Sequence, residues 1–200
     1  MLLNKPHNNL TIKNLIKTEW INQFDEEQQE QIRLGSKDNL DVLIYAKKEF
    51  DEHQMREIKY GLQSNVDVSI YSKEYFDWEQ MRNIRFGLEK KLNISVYAKK
   101  EFNWKQMKEI RLGLEEELDV SVYAKLDFNC YQMEQIRLGL ASNLDVLIYA
   151  KKEFNGYQME QIRLGLKSNV DVSIYAKPEF NSKEIKEIRL GLENNLDVSI

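Results

Sequence analysis

The chain has one cysteine, Cys130, two histidines and no Cys-x-x-Cys pair. A lone thiol excludes an internal disulfide framework, and two isolated histidines leave no recognisable zinc site. No stretch approaches the ~18 consecutive apolar residues that a membrane span needs. The opening Met-Leu-Leu-Asn-Lys-Pro-His-Asn lacks a basic segment followed by an apolar run, so a soluble, cytoplasmic protein without a membrane partner is expected. Basic charge is not in excess either. Lys and Arg number 29 against 33 Asp and Glu, a net charge of −4, which argues against a generally basic nucleic-acid binder. Neither a cofactor nor a metal is expected.

What the chain does have is repetition. Phe24, Phe50, Phe76, Phe102, Phe128, Phe154 and Phe180 each open a copy of one 26-residue unit, Phe-Asp/Asn-x-x-Gln-Met-x-x-Ile-Arg-Leu-Gly-Leu-x-x-Asn-Leu-Asp-Val-Ser-Ile-Tyr-Ala-Lys-x-Glu. Such a period marks a solenoid, in which each unit buries its apolar face on its neighbours. Residues 1–23 read as an N-terminal cap with a degenerate edge strand, Asn9 to Trp20, for which a short capping helix over 11–22 is the rival. Residues 24–200 read as seven repeats, the last truncated, in one domain.

Within a unit, Asp or Asn is followed three residues later by Gln or Glu: Asp25/Gln28, Asp51/Gln54, Asp77/Gln80, Asn103/Gln106, Asn129/Gln132, Asn155/Gln158 and Asn181/Glu184. This is a capping box, predicting helix starts near residues 26, 52, 78 and onward. Met107, Ile110 and Leu114, at i, i+3 and i+7, define the buried face. Near the helix end five copies place Asn (Asn39, Asn65, Asn143, Asn169, Asn195), which tolerates the left-handed conformation and stops the helix. The following Asp119-Val120-Ser121-Val122-Tyr123-Ala124-Lys125 and its equivalents alternate with period two, predicting a half-buried strand. One helix and one strand per unit predict an α/β class: a curved solenoid with a parallel sheet on the concave side and helices on the convex side. Its last strand, Asp197 to Ile200, would be an open edge able to pair with a second copy.

Assembled in this way, the chain resembles a leucine-rich-repeat horseshoe in architecture, without the Leu-x-x-Leu-x-Leu-x-x-Asn signature. The unit Gln-Met-x-x-Ile-Arg-x-Gly-Leu-x-x-x-Leu-Asp-Val-Ser-x-Tyr-Ala-Lys-x-Glu-Phe more closely resembles tandem repeats of poorly characterised proteins from Gram-positive bacteria and their mobile elements, over residues 24–200. The resemblance implies a cytosolic scaffold. Carriage on mobile elements would fit a counter-defence, anti-CRISPR-like inhibitor.

Three recurring features could carry function. The predicted concave face bears a tyrosine ladder (Tyr45, Tyr71, Tyr97, Tyr123, Tyr149, Tyr175) beside a lysine ladder (Lys47, Lys73, Lys99, Lys125, Lys151, Lys177). Rows of aromatic and basic groups suit an acidic protein or nucleic-acid partner; alternatively the rings support one another and the lysines keep the face soluble. On the helix, Leu34, Tyr60, Phe86, Leu112, Leu138, Leu164 and Leu190 fall opposite the core stripe. Either they form an exposed contact stripe, or the glycine that follows each one turns it inward, and the inward reading is preferred. The arginines beside them, such as Arg111 and Arg137, are expected to lay their stems over the next helix's glycine.

The third feature is departure from the repeat. Trp78, Trp104, Cys130 and Gly156 occupy one variable position in four successive copies, with Tyr131 and Tyr157 one residue further on in the last two. Exposed Trp and Tyr at the helix starts are the residue types that dominate interface energies, against the alternative of packing on the preceding loop. Catalysis is not expected. His7 and His53 are solvated and isolated, Cys130 has no histidine in phase, and the row Asp41, Asp67, Asp119, Asp145, Asp171, Asp197 reads as structural hydrogen bonding. The residues expected to contact a partner are Tyr71, Tyr97, Tyr123, Tyr149, Lys73, Lys99, Lys125, Lys151, Trp78, Trp104, Tyr131 and Tyr157. The expected function is that of a non-catalytic protein-binding scaffold or inhibitor. Nucleic acid or a nucleoprotein is the alternative partner.

Overall fold

A computed structural model of the chain describes residues 14–198. Two compact units form, Met1–Ile94 and Ser95–Ile200. The first holds α1 (Glu26–Lys37), α2 (Glu52–Gln63) and α3 (Trp78–Glu89); the second holds α4 (Trp104–Glu115), α5 (Cys130–Ala141), α6 (Gly156–Lys167) and α7 (Ser182–Glu193). Within each unit successive helices pack side by side in chain order.

The helix starts are those the sequence predicts. In all seven the Asp or Asn side chain accepts from the backbone N–H three residues on, and that residue's Gln or Glu accepts from the N-cap N–H. Each end is a Schellman motif with a left-handed residue: Asn39, Asn65, Lys91, Glu117, Asn143, Asn169 and Asn195 have φ of 55–59°. The next residue's N–H returns to the helix glycine, as Leu118 N to Gly113 O at 2.9 Å, while Glu117 N donates to Leu114 O at 3.2 Å. Lys91 and Glu117 hold the same conformation without Asn's advantage, so the hydrogen bonds of the motif, and not residue type alone, set the stop.

The expected strands do not form: the described residues contain no strand and hence no sheet. The α/β class, the parallel sheet, the concave and convex faces and the leucine-rich-repeat likeness are corrected accordingly to an all-helical repeat. The segment read as a strand is a short 310 turn in each copy, Val42–Ile44, Val68–Ile70, Ile94–Val96, Val120–Val122, Val146–Ile148 and Val172–Ile174. In the five copies headed by an aspartate its side chain caps the turn. Asp119 accepts from Ser121 N at 3.1 Å and from Ser121 Oγ at 2.6 Å, closing a tight turn before a strand can extend. Tyr123 N and Ala124 N then both donate to Val120 O, at 3.0 and 2.8 Å. Val120 and Tyr123, three apart, face inward while Ser121 is exposed, so burial follows period three rather than two.

The edge strand at the amino end lies outside the described residues over 9–13; residues 14 and 15 are helical, 16–18 form a turn and bend, and Glu19–Gln23 is a 310 helix, so over its described part the segment follows the rival helical reading and not the strand. At the other end Ser199 and Ile200 lie outside the described residues, and Asp197 and Val198 are not in a strand, so pairing of a second copy through an edge strand has no support.

Each turn delivers a tyrosine into the core. Tyr45, Tyr71, Tyr97, Tyr123, Tyr149 and Tyr175 are fully buried. The hydroxyl of Tyr123 donates to Glu109 O in the preceding helix at 3.1 Å, and Tyr45, Tyr71 and Tyr149 do the same to Gln31, Glu57 and Gln135. The glycine makes this possible: a β-carbon on Gly113 would stand 1.9 Å from Tyr123 Oη, and on Gly139 2.0 Å from Tyr149 Oη. These glycines neither end the helix nor receive an arginine stem. They admit the ring of their own repeat. The residue before each glycine is consequently not turned fully inward; Leu112, Leu138 and Leu164 are half-buried and Tyr60 is exposed.

Two ties recur between neighbouring repeats. The capping-box Gln uses both ends of its amide: Gln132 Oε1 accepts from Asn129 N at 2.8 Å, and its Nε2 donates to Phe154 O, in the next repeat, at 2.7 Å. Gln28, Gln54, Gln106 and Gln158 make the same reach to Phe50, Phe76, Phe128 and Phe180. The second tie runs backward. Lys59 donates to Gln31, Arg85 to Glu57, Arg137 to Glu109, Arg163 to Gln135 and Arg189 to Gln161, each 28 residues earlier. Glu57, with no exposed side-chain surface, is held by both Arg82 and Arg85. A buried carboxylate is tolerable only with such pairing.

Candidate functional site

The burial of the tyrosines removes four of the twelve expected contact residues. Tyr71, Tyr97, Tyr123 and Tyr149 have no exposed area, so they are core residues and not a ladder on a face. Their hydroxyls are pushed well above the usual tyrosine range, first by burial. The lysines that follow, Lys73, Lys99, Lys125 and Lys151, are exposed in the loops leading to the next helix. Each has an exposed acid beside it or nearby: Glu74, Glu101, Asp127 and Glu153. Every loop therefore carries mixed charge.

The aromatic residues at the helix starts fare differently in the two units. In the first unit Trp78 is half-buried and already attended from within the chain. The Arg82 guanidinium lies 4.7 Å and that of Arg56 6.0 Å from the ring centre, and the His53 ring is at 5.4 Å. Arg82 also meets the Glu57 carboxylate at 3.2 Å.

In the second unit Trp104, Tyr131 and Tyr157 lie at the starts of α4, α5 and α6. Trp104 and Tyr131 line one groove of about 250 Å³ between α4 and α5, together with Lys105, Lys108, Cys130 and Glu134. The first helical position of α5, Cys130, is part of its lining. At the next junction the same position is Gly156, and a β-carbon there would stand 2.2 Å from Tyr131 Cδ1. Glycine at this helix start thus seats the Tyr131 ring. Tyr131 Oη donates to Glu160 Oε2 at 3.0 Å, and its ring meets Tyr157 edge-to-face at 5.1 Å between centres. Burial, the hydrogen bond to Glu160 and the charges of Glu160 and Glu134 raise the Tyr131 hydroxyl to about 12. Tyr157 is 63% exposed.

Of the expected contact residues, then, the structure joins Tyr131 to Tyr157 directly and to Trp104 across a groove, and it places Trp78 in the other unit. Glu134 and Glu160, one turn along the helix from Tyr131 and Tyr157, belong to the same surface and were missed. Their i, i+3 spacing from the two tyrosines carried the signal.

Among the described residues no group of His, Cys, Asp and Glu could hold a metal ion, and no helix is long and apolar enough to cross a membrane. The aspartate row is occupied in capping the 310 turns, as Asp67, Asp119 and Asp171 show. Compared with known proteins, the chain matches no protein-family model, no curated protein and no solved structure. The expected likeness to leucine-rich repeats and to bacterial mobile-element repeats finds no counterpart there.

Proposed function

We propose that the chain is a non-catalytic, cytoplasmic repeat scaffold that binds another protein, and thereby organises or inhibits it, through the helix-start edge of its second unit. The observation that carries this is the exposed Tyr157 ring, braced by a Tyr131 that is itself seated by Gly156 and Glu160. Rigid, pre-positioned aromatic rings contribute contact area at little entropy cost, as interface anchors do. The groove beside Trp104 offers a place for a partner side chain.

The test is capture of partners from a lysate on immobilised protein, comparing the wild-type chain with Tyr157→Ala and Trp104→Ala after nuclease and in high salt. A discrete protein retained by the wild type and lost from both variants supports the proposal. Retention by both variants removes it. The exposed Lys73, Lys99, Lys125 and Lys151 favour a second reading, a nucleic-acid contact. Its mark would be nuclease-sensitive, salt-sensitive retention.

A further inference from the structure

The chain contains its own example of what an aromatic ring and a carboxylate take up at these helix starts. Around Trp78 the answer is a guanidinium: Arg82, at the fifth position of α3, stacks on the ring and pairs with Glu57. In α5 and α6 the fifth position is Glu134 and Glu160. The rings are present there, as Tyr131 and Tyr157, but the position of the arginine is taken by a carboxylate in each helix, while Lys105 and Lys108 line the groove that Tyr131 and Glu134 share.

We infer that the Tyr131–Tyr157 surface receives an arginine or lysine side chain from a basic segment of the partner protein, an assignment that rests on the protein-binding proposal above. Glu134 has no hydrogen-bond or ion-pair partner among the described residues, and Glu160 engages only the neutral Tyr131 hydroxyl. Both carboxylates are half-buried, so a cation reaching them would meet weaker solvent screening than on an open surface. An arginine would lay its plane on the exposed Tyr157 ring while its N–H groups reach Glu160 and Glu134. Gly156 holds the arrangement open, because a larger residue there would displace the Tyr131 ring that positions both Tyr157 and Glu160.

The experiment uses the full chain and three short fluorescein-labelled probes, Gly-Arg, Gly-citrulline and Gly-Glu repeat peptides, read by fluorescence anisotropy. The Gly-Arg peptide is expected to bind, and the citrulline peptide, which keeps the shape but loses the charge, to bind at least about tenfold more weakly. E134Q/E160Q should weaken the Gly-Arg complex by about tenfold, while E187Q, on the exposed surface of α7, leaves it unchanged. Circular dichroism of the double variant establishes that the helices persist. Equal binding of the arginine and citrulline peptides, preference for the Gly-Glu peptide, or indifference to E134Q/E160Q overturns the inference. The parent proposal fails separately. If Tyr157→Ala abolishes capture of a partner but E134Q/E160Q does not, the edge stands and the cation assignment falls. If E134Q/E160Q abolishes the Gly-Arg complex while no variant changes partner capture, the cation site stands and the scaffold reading falls.

Discussion

Tyr175 Oη lies where a side chain on Gly165 would have to be, 1.7 Å from the position of its β-carbon. Glycine ten residues before tyrosine is thus one packing decision written in two places. Alanine at a helix-interior glycine ordinarily stabilises by about 1 kcal/mol. Here Gly165→Ala is expected to destabilise the chain by about 1–3 kcal/mol through overpacking, and adding Tyr175→Phe should recover much of the loss by removing the clashing oxygen. Urea denaturation of the two single variants and the double variant measures the coupling.

The tyrosine hydroxyls supply an internal control. Tyr123 donates to Glu109 O, whereas Tyr175 Oη is buried without a partner. Tyr123→Phe should therefore cost about 1 kcal/mol, and Tyr175→Phe should be neutral or slightly stabilising. Equal losses at the two sites in denaturant titrations would contradict this account of the core.

Gln132 is asked to accept at one end and donate at the other, and only an amide does both. Gln132→Glu keeps the capping acceptor but turns a carboxylate toward Phe154 O in a buried site. A loss of about 2–4 kcal/mol at neutral pH, smaller under acid conditions where the carboxyl can donate, is expected from thermal unfolding at several pH values. In α7 the equivalent residue is already Glu184, exposed and engaged only with the Asn181 cap. Glu184→Gln should change little.

Burial raises the pKa of six core tyrosines above its unfolded value. The folded state holds these protons more tightly than the unfolded chain. Their contribution is therefore fully present below the unfolded value, about 10, and declines as pH rises above it. Stability should be insensitive to these groups at neutral pH and fall steeply in alkali. Six of the ten tyrosines should ionise, by ultraviolet absorbance, only as helicity is lost. Early ionisation of all ten, with the helices intact, would contradict the buried placement.

The Arg85–Glu57 contact joins two repeats through a carboxylate with no exposed surface. Arg85→Ala removes the better-buried partner and leaves Glu57 with Arg82, whose side chain is 41% exposed. A loss of about 3 kcal/mol is expected, against less than about 1 kcal/mol for Arg33→Ala, whose residue pairs only with Gln29 on its own helix. Differential scanning calorimetry of the two variants separates them.

Much of this could be read before any fold was known. Asn129 and Gln132 announce a helix start by themselves because a capping box needs only four residues of local backbone. Asn143 announces its end for the same reason, and the aspartate row was legible as local hydrogen bonding. Asp119-Val120-Ser121-Val122-Tyr123 was not legible as a turn. Its apolar residues satisfy both a period of two and a spacing of three, and the choice depends on where Tyr123 can go. At the candidate site, the position of Tyr157 was legible as a departure from the repeat. The roles of Glu134 and Glu160 were not, since they arise from contacts between helices.

The sequence by itself determined the 26-residue period, the seven capped helices and the residues that break the pattern, because each is a property of neighbouring residues or of repetition. Only the tertiary structure decided that the repeated tyrosine is core and not surface. The reason is steric and distant in sequence: the helix face stripped bare at Gly113 gives the Tyr123 ring a place to enter, and Glu109 O accepts from its hydroxyl there.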